Sequence, residues 1–383
     1  MNFRFPPTAM PDMAPQLRRE VRAFLEEAKA EGLWEPSKKW WMEFNRPFSQ
    51  ALGARGWIGM TWPRRYGGQE RPALERYVVT EELLANGAPI RCHWAADRQI
   101  GPLILEFGTD WQKETLLPAF ASGGVSIAVG LSEPDSGSDL SAIRSRAVRS
   151  EGGWLVDGRK IWITNAHNSR YMTLFVRTSS DTANRRDGIT RFLVDMQSSG
   201  ISVLPIKHMA GEADLNEVVF DQVFVPDRMV IGDIDKAWSQ MGSELANERS
   251  SPDRWTASLG LYRQMVDHVG PKPGRAEAEA IGRIAAHLWT LKGMSLSIAG
   301  MNERGQNTVV EGSVVKDLGT HLDQEIPDMV RRLVDEEARA DLPPDHTLLR
   351  DLHYGLLFSP ALTIRGGTRE ILRNGIARAL GIR

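Results

Sequence analysis

The sequence predicts an α+β protein built from three consecutive parts: a helical part over residues 1–124, an all-β part over 125–234 and a second helical part over 235–383. Apolar residues repeat at helical spacing in the first and last parts, whereas in the middle part they alternate or form short runs between turn signals. With 383 residues, 42% of them hydrophobic, the chain is long enough for more than one core.

The two helical parts show apolar stripes separated by Pro and Gly clusters. In the first part, Leu17, Val21, Phe24 and Leu25 recur at helical spacing, and residues 77–84 repeat the pattern. In the last part, helices are expected over residues 238–269, 276–302, 311–333 and 369–380.

The middle part is predicted to consist of strands. Residues 125–130 form a short apolar run, and residues 144–164 form strands broken at Gly152-Gly153 and at Asp157-Gly158, both of which are hairpin signals. Further strands are expected over residues 171–177, 188–196, 201–209 and 217–225.

Composition excludes several classes of protein. A net charge of −2 argues against nucleic acid as a partner. The single cysteine, Cys92, excludes a disulfide framework, and the eight histidines lack metal-ligand spacing, so no metal site is expected. Residues 1–7 lack the apolar run of a signal peptide, and no eighteen apolar residues run together. We therefore expect a cytoplasmic protein that does not enter a membrane.

Three short motifs point to a family. Leu131-Ser-Glu-Pro-Asp-Ser-Gly-Ser-Asp139 is followed by Gly158-Arg-Lys-Ile-Trp-Ile-Thr-Asn165, and Gly366-Gly-Thr-Arg-Glu-Ile-Leu-Arg-Asn374 lies near the end of the chain. Each is ordinary turn or strand chemistry by itself, but together, at this spacing, they resemble the flavin-binding and closing signatures of the acyl-CoA dehydrogenases. The resemblance covers nearly the whole chain. It implies an N-terminal helical domain, a middle β-barrel and a C-terminal helical bundle with the limits given above.

The resemblance implies FAD as the cofactor and assigns its contacts. Ser132 would bond the pyrimidine end of the flavin, Ser138 would lie near the pyrophosphate and the CoA arm, Trp162 would pack on the ring system, and Thr164 would donate to N5. Strand alternation predicts that Trp162 and Thr164 share one face, with Ile161 and Ile163 on the other. The full set of cofactor residues implied is Leu131, Ser132, Gly137, Ser138, Trp162, Thr164, Thr368 and Glu370, with Ser138 also touching substrate.

The activity implied is α,β-dehydrogenation of an acyl-CoA thioester, which needs a carboxylate to remove the α-proton. Many family members carry this base directly before Gly-Thr in the closing signature, where this chain has Gly366. That residue can offer only its backbone N–H, to polarise the thioester carbonyl. The isovaleryl and long-chain members carry the base in a Glu-Arg pair on the first C-terminal helix, and this assigns Glu248, with Arg249 toward the substrate. Glu244 is the fallback.

Pro252 gives this assignment separate support. It lies four residues after Glu248, so its ring clashes with the Glu248 carbonyl and offers it no amide. We expect the helix to bend there.

One departure bears on assembly. Most members carry an Arg-x-x-Phe-Gly stretch that reaches the FAD of a neighbouring subunit, and residues 268–275, His-Val-Gly-Pro-Lys-Pro-Gly-Arg, lack it. Two arrangements stay open, a homo-oligomer in which Lys272 or Arg275 meets the phosphate, and a heteromer with a second acyl-CoA dehydrogenase subunit. Three functions stay open as well: a dehydrogenase that passes electrons to an electron-transfer flavoprotein, an oxygen-using flavoenzyme of the same fold, and an FAD-completing partner subunit.

Overall fold

A computed structural model describes residues 4–180, 184–241, 251–334 and 342–382. Within these ranges helices occupy the chain before residue 127, strands lie between 127 and 231, and long helices follow from 259. This order confirms the predicted fold class. The predicted domain limits stay a prediction.

Two compact units, interleaved along the sequence, make up the chain. Unit 1 comprises Met1–Phe48, Arg71–Arg91 and Ala246–Arg383, and unit 2 comprises Ser49–Glu70 and Cys92–Leu245. The helices are α1 (Ala14–Ala30), α2 (Arg46–Ala54), α3 (Ala73–Ala85), α4 (Arg91–Ala95), α5 (Gly101–Phe107), α6 (Asp110–Ala121), α7 (Leu259–Val269), α8 (Arg275–Glu303), α9 (Val309–Leu333), α10 (Thr347–Leu362) and α11 (Arg369–Ala379).

Unit 1 is helical. The apolar stripe of α1 is buried, as its spacing predicts, and Arg18 on the same helix forms ion pairs with Glu81 and Glu82 of α3. The larger core lies among α7 to α10, and α10 is a helix that the sequence reasoning missed. That core includes Met265, Leu291, Ile298, Leu322, Ile326 and Leu352.

The helix expected over residues 238–269 is wrong as one continuous element. Within the described part, Pro252 opens a short 3-10 turn that ends at Arg254, and α7 begins only at Leu259. Proline favours the first position of such a turn because it has no amide hydrogen to donate. The bend predicted at the Glu248 carbonyl lies outside the described residues, while the described part shows a 3-10 turn at Pro252 in place of a continuous helix.

Unit 2 holds the sheet. Its strands are β1 (Ile127–Gly130), β2 (Arg146–Ser150), β3 (Gly153–Thr164), β4 (Tyr171–Arg177), β5 (Ile189–Asp195), β6 (Ile201–Ile206), β7 (Leu215–Pro226) and β8 (Val230–Ile231). The hydrogen-bonded order is β6-β7-β3-β2-β4-β5-β8, and β1 pairs in parallel with β4. Apolar residues of these strands and of α5 and α6 form one core, which includes Leu103, Phe120, Trp154, Val156, Ile163 and Phe192.

The two predicted hairpin signals have different outcomes. Gly152, with φ of +70°, lies in the turn between the antiparallel strands β2 and β3, so the first hairpin is confirmed. The second prediction is wrong, because β3 continues through Asp157 and Gly158, where the pairing with β7 shifts register. A glycine with φ of +148° suits such a bulge, which needs a backbone shape that other residues adopt with difficulty.

Candidate functional site

The segment 131–139, called the flavin loop below, begins where β1 ends and turns tightly. Glu133 and Ser136 exchange two backbone hydrogen bonds, of 2.8 and 3.0 Å, around Pro134 and Asp135. Just before this turn the Ser132 carbonyl accepts a hydrogen bond of 3.0 Å from the amide of Ile161 in β3. The loop is therefore tied to the strand that carries the second motif.

A buried ion pair strengthens this connection. Lys160 has no exposed surface, and its Nζ donates to Oε1 of Glu133 at 2.8 Å and to the carbonyl of Leu131 at 3.1 Å. The Glu133 carboxylate also accepts the backbone amides of Arg144 at 2.6 Å and Ser145 at 3.0 Å. One lysine and one glutamate thus hold together the flavin loop, β3 and the start of β2.

Both members of this pair are charged at neutral pH. Burial lowers the pKa of Lys160 to about 8, although the charge of Glu133 opposes this. Burial raises the pKa of Glu133, but the charge and hydrogen bond of Lys160 and the Arg144 amide outweigh it, and the pKa lies below its usual range. A buried pair of this kind is costly to break, because removal of one partner leaves the other charge uncompensated.

Trp162 lies two residues beyond Lys160, at an irregular point of β3. Its φ is +61°, the pairing with β7 shifts register around it, and 58% of its surface is exposed. A left-handed conformation is strained for a bulky residue, and the strained residue here turns its side chain to solvent rather than into the core. Both observations fit an indole ring that stacks on a planar binding partner.

The predicted alternation around Trp162 is confirmed in part. Ile163 is buried in the core of unit 2, while Trp162 is exposed and Thr164 is half-buried. Ile161, expected on the face of Ile163, is only half-buried. A bulge interrupts the two-residue period between these isoleucines, so the prediction that they share a face stays a prediction.

The remaining predicted contacts in unit 2 lie close together along the flavin loop. Leu131 and Ser132 are half-buried, whereas Gly137 and Ser138 are exposed. A Cβ added to Gly137 would meet no atom within 4 Å. The protein's own packing therefore does not require glycine there, which leaves space on that side of the loop.

The closing segment, residues 366–374, belongs to unit 1. Gly366 and Gly367 have φ of +65° and +93°, and the carbonyl of Gly367 accepts a hydrogen bond of 2.5 Å from Lys316, which is fully buried in α9. Thr368 then caps α11 by accepting the amide of Ile371 at 3.4 Å. The chain directly after the Gly366 amide is thus fixed by two contacts.

Charged residues of α11 are also fixed. Glu370 is exposed in the first turn, and hydrogen bonds from its own amide and from Thr368 lower its pKa. Arg369 and Arg373 both bind Asp317 of α9, at 2.6 and 3.0 Å. Burial opposes the ionisation of Asp317, but these two arginines outweigh it and lower the pKa of that carboxyl.

The predicted base and its neighbours, Glu244, Glu248 and Arg249, lie outside the described residues. In the segment that replaces Arg-x-x-Phe-Gly, Lys272 is exposed, and Arg275 forms an ion pair with Glu279 one turn along α8, at 2.8 Å.

The structure thus brings Leu131, Ser132 and the segment of Trp162 and Thr164 into two adjoining pieces of unit 2, while Gly366, Thr368 and Glu370 lie together in unit 1. Sequence reasoning missed Lys160 and Glu133. Both lie inside the motifs quoted above, but Lys160 directly follows another cation, Arg159, so the local pattern does not mark it as buried.

Two predicted absences concern the described part of the chain alone. Among the described residues, no cluster of three or more His, Cys, Asp or Glu side chains could hold a metal ion. Over the same ranges, helices are too short or too polar to cross a membrane.

Comparison with known proteins gives consistent matches along the chain. Family models of the acyl-CoA dehydrogenase N-terminal domain and middle domain match residues 12–124 and 128–223. Acyl-CoA dehydrogenase FadE34 of Mycobacterium tuberculosis (strain ATCC 25618 / H37Rv) is 33% identical over 338 residues, which are 87% of this chain and 45% of FadE34. The chain therefore spans less than half the length of that relative.

Two further matches extend over most of both partners. Acyl-CoA dehydrogenase FadE26 of the same organism is 29% identical over 351 residues, covering 86% of each chain. Among solved structures, a chain of the ChsE4-ChsE5 complex from Mycobacterium tuberculosis superposes with a TM-score of 0.81 and 26% identity, covering 98% of this chain and 99% of that one.

Proposed function

Because this chain belongs to the acyl-CoA dehydrogenase family, we propose that it catalyses the α,β-dehydrogenation of an acyl-CoA thioester to the trans-2-enoyl-CoA. The observation that carries this proposal is the pair of adjoining segments in unit 2, in which the flavin loop is bonded to the strand that presents Trp162.

FAD is the cofactor of this family, and the residues present fit it. Trp162 leaves 58% of its surface exposed next to a loop that carries Ser132 and Ser138, so a flat ring system would cover apolar surface and meet hydroxyl groups at its edge. Thr164 follows with a half-buried hydroxyl. When bound, FAD supplies the acceptor for the hydride that leaves the β-carbon.

The protein's own residues would supply the rest of the chemistry. Glu248 removes the α-proton, and Arg249 beside it contacts the substrate. The amide of Gly366 donates to the thioester carbonyl, where negative charge develops as the proton leaves. Lys316 and the Thr368 cap hold that amide in place, so little reorganisation is needed during the reaction.

A small residue at position 366 also bears on the substrate. With the base moved to another helix, Gly366 leaves room where many relatives carry a glutamate. We expect a bulky, branched or cyclic acyl group rather than butyryl, because a cavity wall that lacks a side chain admits a wider acyl chain.

The electrons would pass to an electron-transfer flavoprotein, and the protein would work as an oligomer. A heteromer is supported by the absence of Arg-x-x-Phe-Gly over residues 268–275 and by the likeness to a chain of the ChsE4-ChsE5 complex. The absence of Arg-x-x-Phe-Gly also favours a second candidate function, that of a partner subunit which completes the FAD site of an unlike chain.

One experiment separates these functions. The protein is purified alone and after co-expression with a second acyl-CoA dehydrogenase subunit. Each preparation is assayed for bound FAD and then screened with acyl-CoAs and an artificial electron acceptor. Turnover that is abolished by Glu248→Gln supports the dehydrogenase. FAD-dependent turnover that survives both this substitution and Glu244→Gln assigns catalysis to the partner. Rapid reoxidation of reduced flavin in air indicates an oxygen-using enzyme.

A further inference from the structure

Lys160 occupies an unusual position for a charged residue. It is fully buried in β3, and its partner across the sheet, Val218 of β7, packs into the core of unit 2. A buried ammonium is costly unless it is paired and hydrogen-bonded. A residue that only needed to fill this space would be apolar, so the ammonium calls for a specific explanation.

Its contacts all lead to the flavin loop. The ammonium donates to the Leu131 carbonyl at 3.1 Å and to Glu133 at 2.8 Å, which places one partner directly before Ser132 and the other directly after it. The next amide along the strand, that of Ile161, donates to Ser132 itself at 3.0 Å. The backbone on both sides of Ser132 is therefore held from β3.

The Leu131 contact can also act through the peptide bond. The carbonyl of Leu131 and the amide of Ser132 belong to the same peptide group. An ammonium bonded to that carbonyl polarises the group and strengthens its N–H as a donor. The same strand carries Trp162 two residues later, so the side chain that binds the loop lies close along the strand to the aromatic residue.

From these contacts we propose that Lys160, with Glu133 as its counter-ion, is a positioning residue for FAD that fixes the flavin loop against the Trp162 strand. The inference rests on the proposed function, since it takes Ser132 and Trp162 as flavin contacts. It does not depend on which acyl-CoA the protein accepts.

The structure suggests how to separate positioning from simple stabilisation. Lys160→Met keeps length but leaves the Glu133 carboxylate without its counter-ion, so the protein should lose stability. Adding Glu133→Gln removes that buried charge, which is the larger cost, although its single amide oxygen can accept from the amide of Arg144 or of Ser145 and not from both. The double variant should therefore regain stability. It still offers no ammonium to the Leu131 carbonyl.

The test uses the FAD-bound assembly as purified, without substrate, and measures the FAD dissociation constant, the absorption spectrum of bound flavin and the thermal unfolding midpoint. We expect both Lys160→Met and the double variant to bind FAD about tenfold or more weakly, with an altered flavin spectrum, while the single variant melts earlier than the double variant. Arg159→Met, which removes an exposed ion pair with Glu217 one residue away, should change neither FAD binding nor the spectrum.

Recovery of wild-type FAD affinity and spectrum together with stability in the double variant would overturn the proposal, and so would unchanged FAD affinity in Lys160→Met. Failure of the proposed function itself looks different, because then the unmodified protein would bind no FAD at all.

Discussion

Asp323 of α9 is expected to make the stability of unit 1 depend on pH. The side chain is fully buried, and Oδ1 accepts the amide of Ser258 at 2.9 Å. Burial raises the pKa of Asp323 to about 7, and neither the amides around it nor the charge of Arg365 offsets this. An unfolded aspartate ionises near pH 3.8.

The sign follows from proton binding. Between about pH 4 and pH 7 the folded protein holds a proton on Asp323 that the unfolded chain has released. Stability is therefore greatest below the unfolded pKa and is lost as the pH rises to the folded pKa. A pKa raised from 3.8 to about 7 corresponds to a loss of up to about 4 kcal/mol.

Asp323→Asn removes this penalty, because the amide keeps an oxygen for the Ser258 N–H and carries no charge. The variant should be more stable than the unmodified protein, and its advantage should grow by about 2 to 3 kcal/mol between pH 5 and pH 8. Amide hydrogen exchange of peptides from α9, corrected for intrinsic rates, measures this locally without assuming that the whole chain unfolds in one step.

Asp317→Asn, on the same helix, is the matched control, because Asp317 should affect the pH dependence of stability in the opposite direction. Because Arg369 and Arg373 lower the pKa of Asp317, its contribution is present above the unfolded pKa and is lost as the pH falls. The variant should therefore lose stability at pH 8. An Asp323→Asn advantage that is constant with pH, or a loss at pH 8, would refute the reasoning.

Three further predictions address packing, cofactor and substrate. Gly53→Ala places a Cβ 2.4 Å from the Ser122 carbonyl, so it should lower the thermal midpoint by an amount equivalent to about 1–3 kcal/mol. Gly282→Ala, where a Cβ meets nothing within 4 Å, should not lower the midpoint. Equal midpoints for the two variants would contradict the steric argument. Lacking Arg-x-x-Phe-Gly, the isolated chain should hold FAD about ten- to a hundredfold more weakly than relatives with that arginine; a fully yellow homo-oligomer after long dialysis would count against this. Among acyl-CoAs, branched, cyclic or long ones should be turned over faster than butyryl-CoA, and the reverse order in a kcat/KM series would exclude a widened site.

Local pattern determined much of the fold. The strand predicted over residues 171–177 has those bounds in the structure, and the helix predicted over 276–302 is Arg275–Glu303. Asp157-Gly158 shows the limit, because the same dipeptide can close a hairpin or form a bulge, and only the partner strand β7 decides between them.

The candidate site shows the same division. The resemblance assigns Ser132 and Trp162 to one flavin site, and the Ile161–Ser132 hydrogen bond joins the two segments that carry them. Their contacts with flavin stay a prediction. Motif spacing did not identify the ion pair of Glu133 and Lys160, which joins residues 27 positions apart. Periodicity predicts which face of an element a residue lies on. It does not predict which distant residue pairs with a buried charge, because that depends on how the chain folds.

The most direct test of the account is anaerobic mixing of the FAD-loaded assembly with an acyl-CoA that it accepts, followed by the absorbance of the flavin. The unmodified protein should bleach and form the trans-2-enoyl-CoA, while Glu248→Gln should bleach at least about a hundredfold more slowly with FAD content unchanged. Glu244→Gln, four residues earlier in the sequence, should bleach at nearly the unmodified rate. Bleaching by Glu248→Gln at the unmodified rate, or an unmodified protein whose flavin stays oxidised with every acyl-CoA tried, would contradict the account.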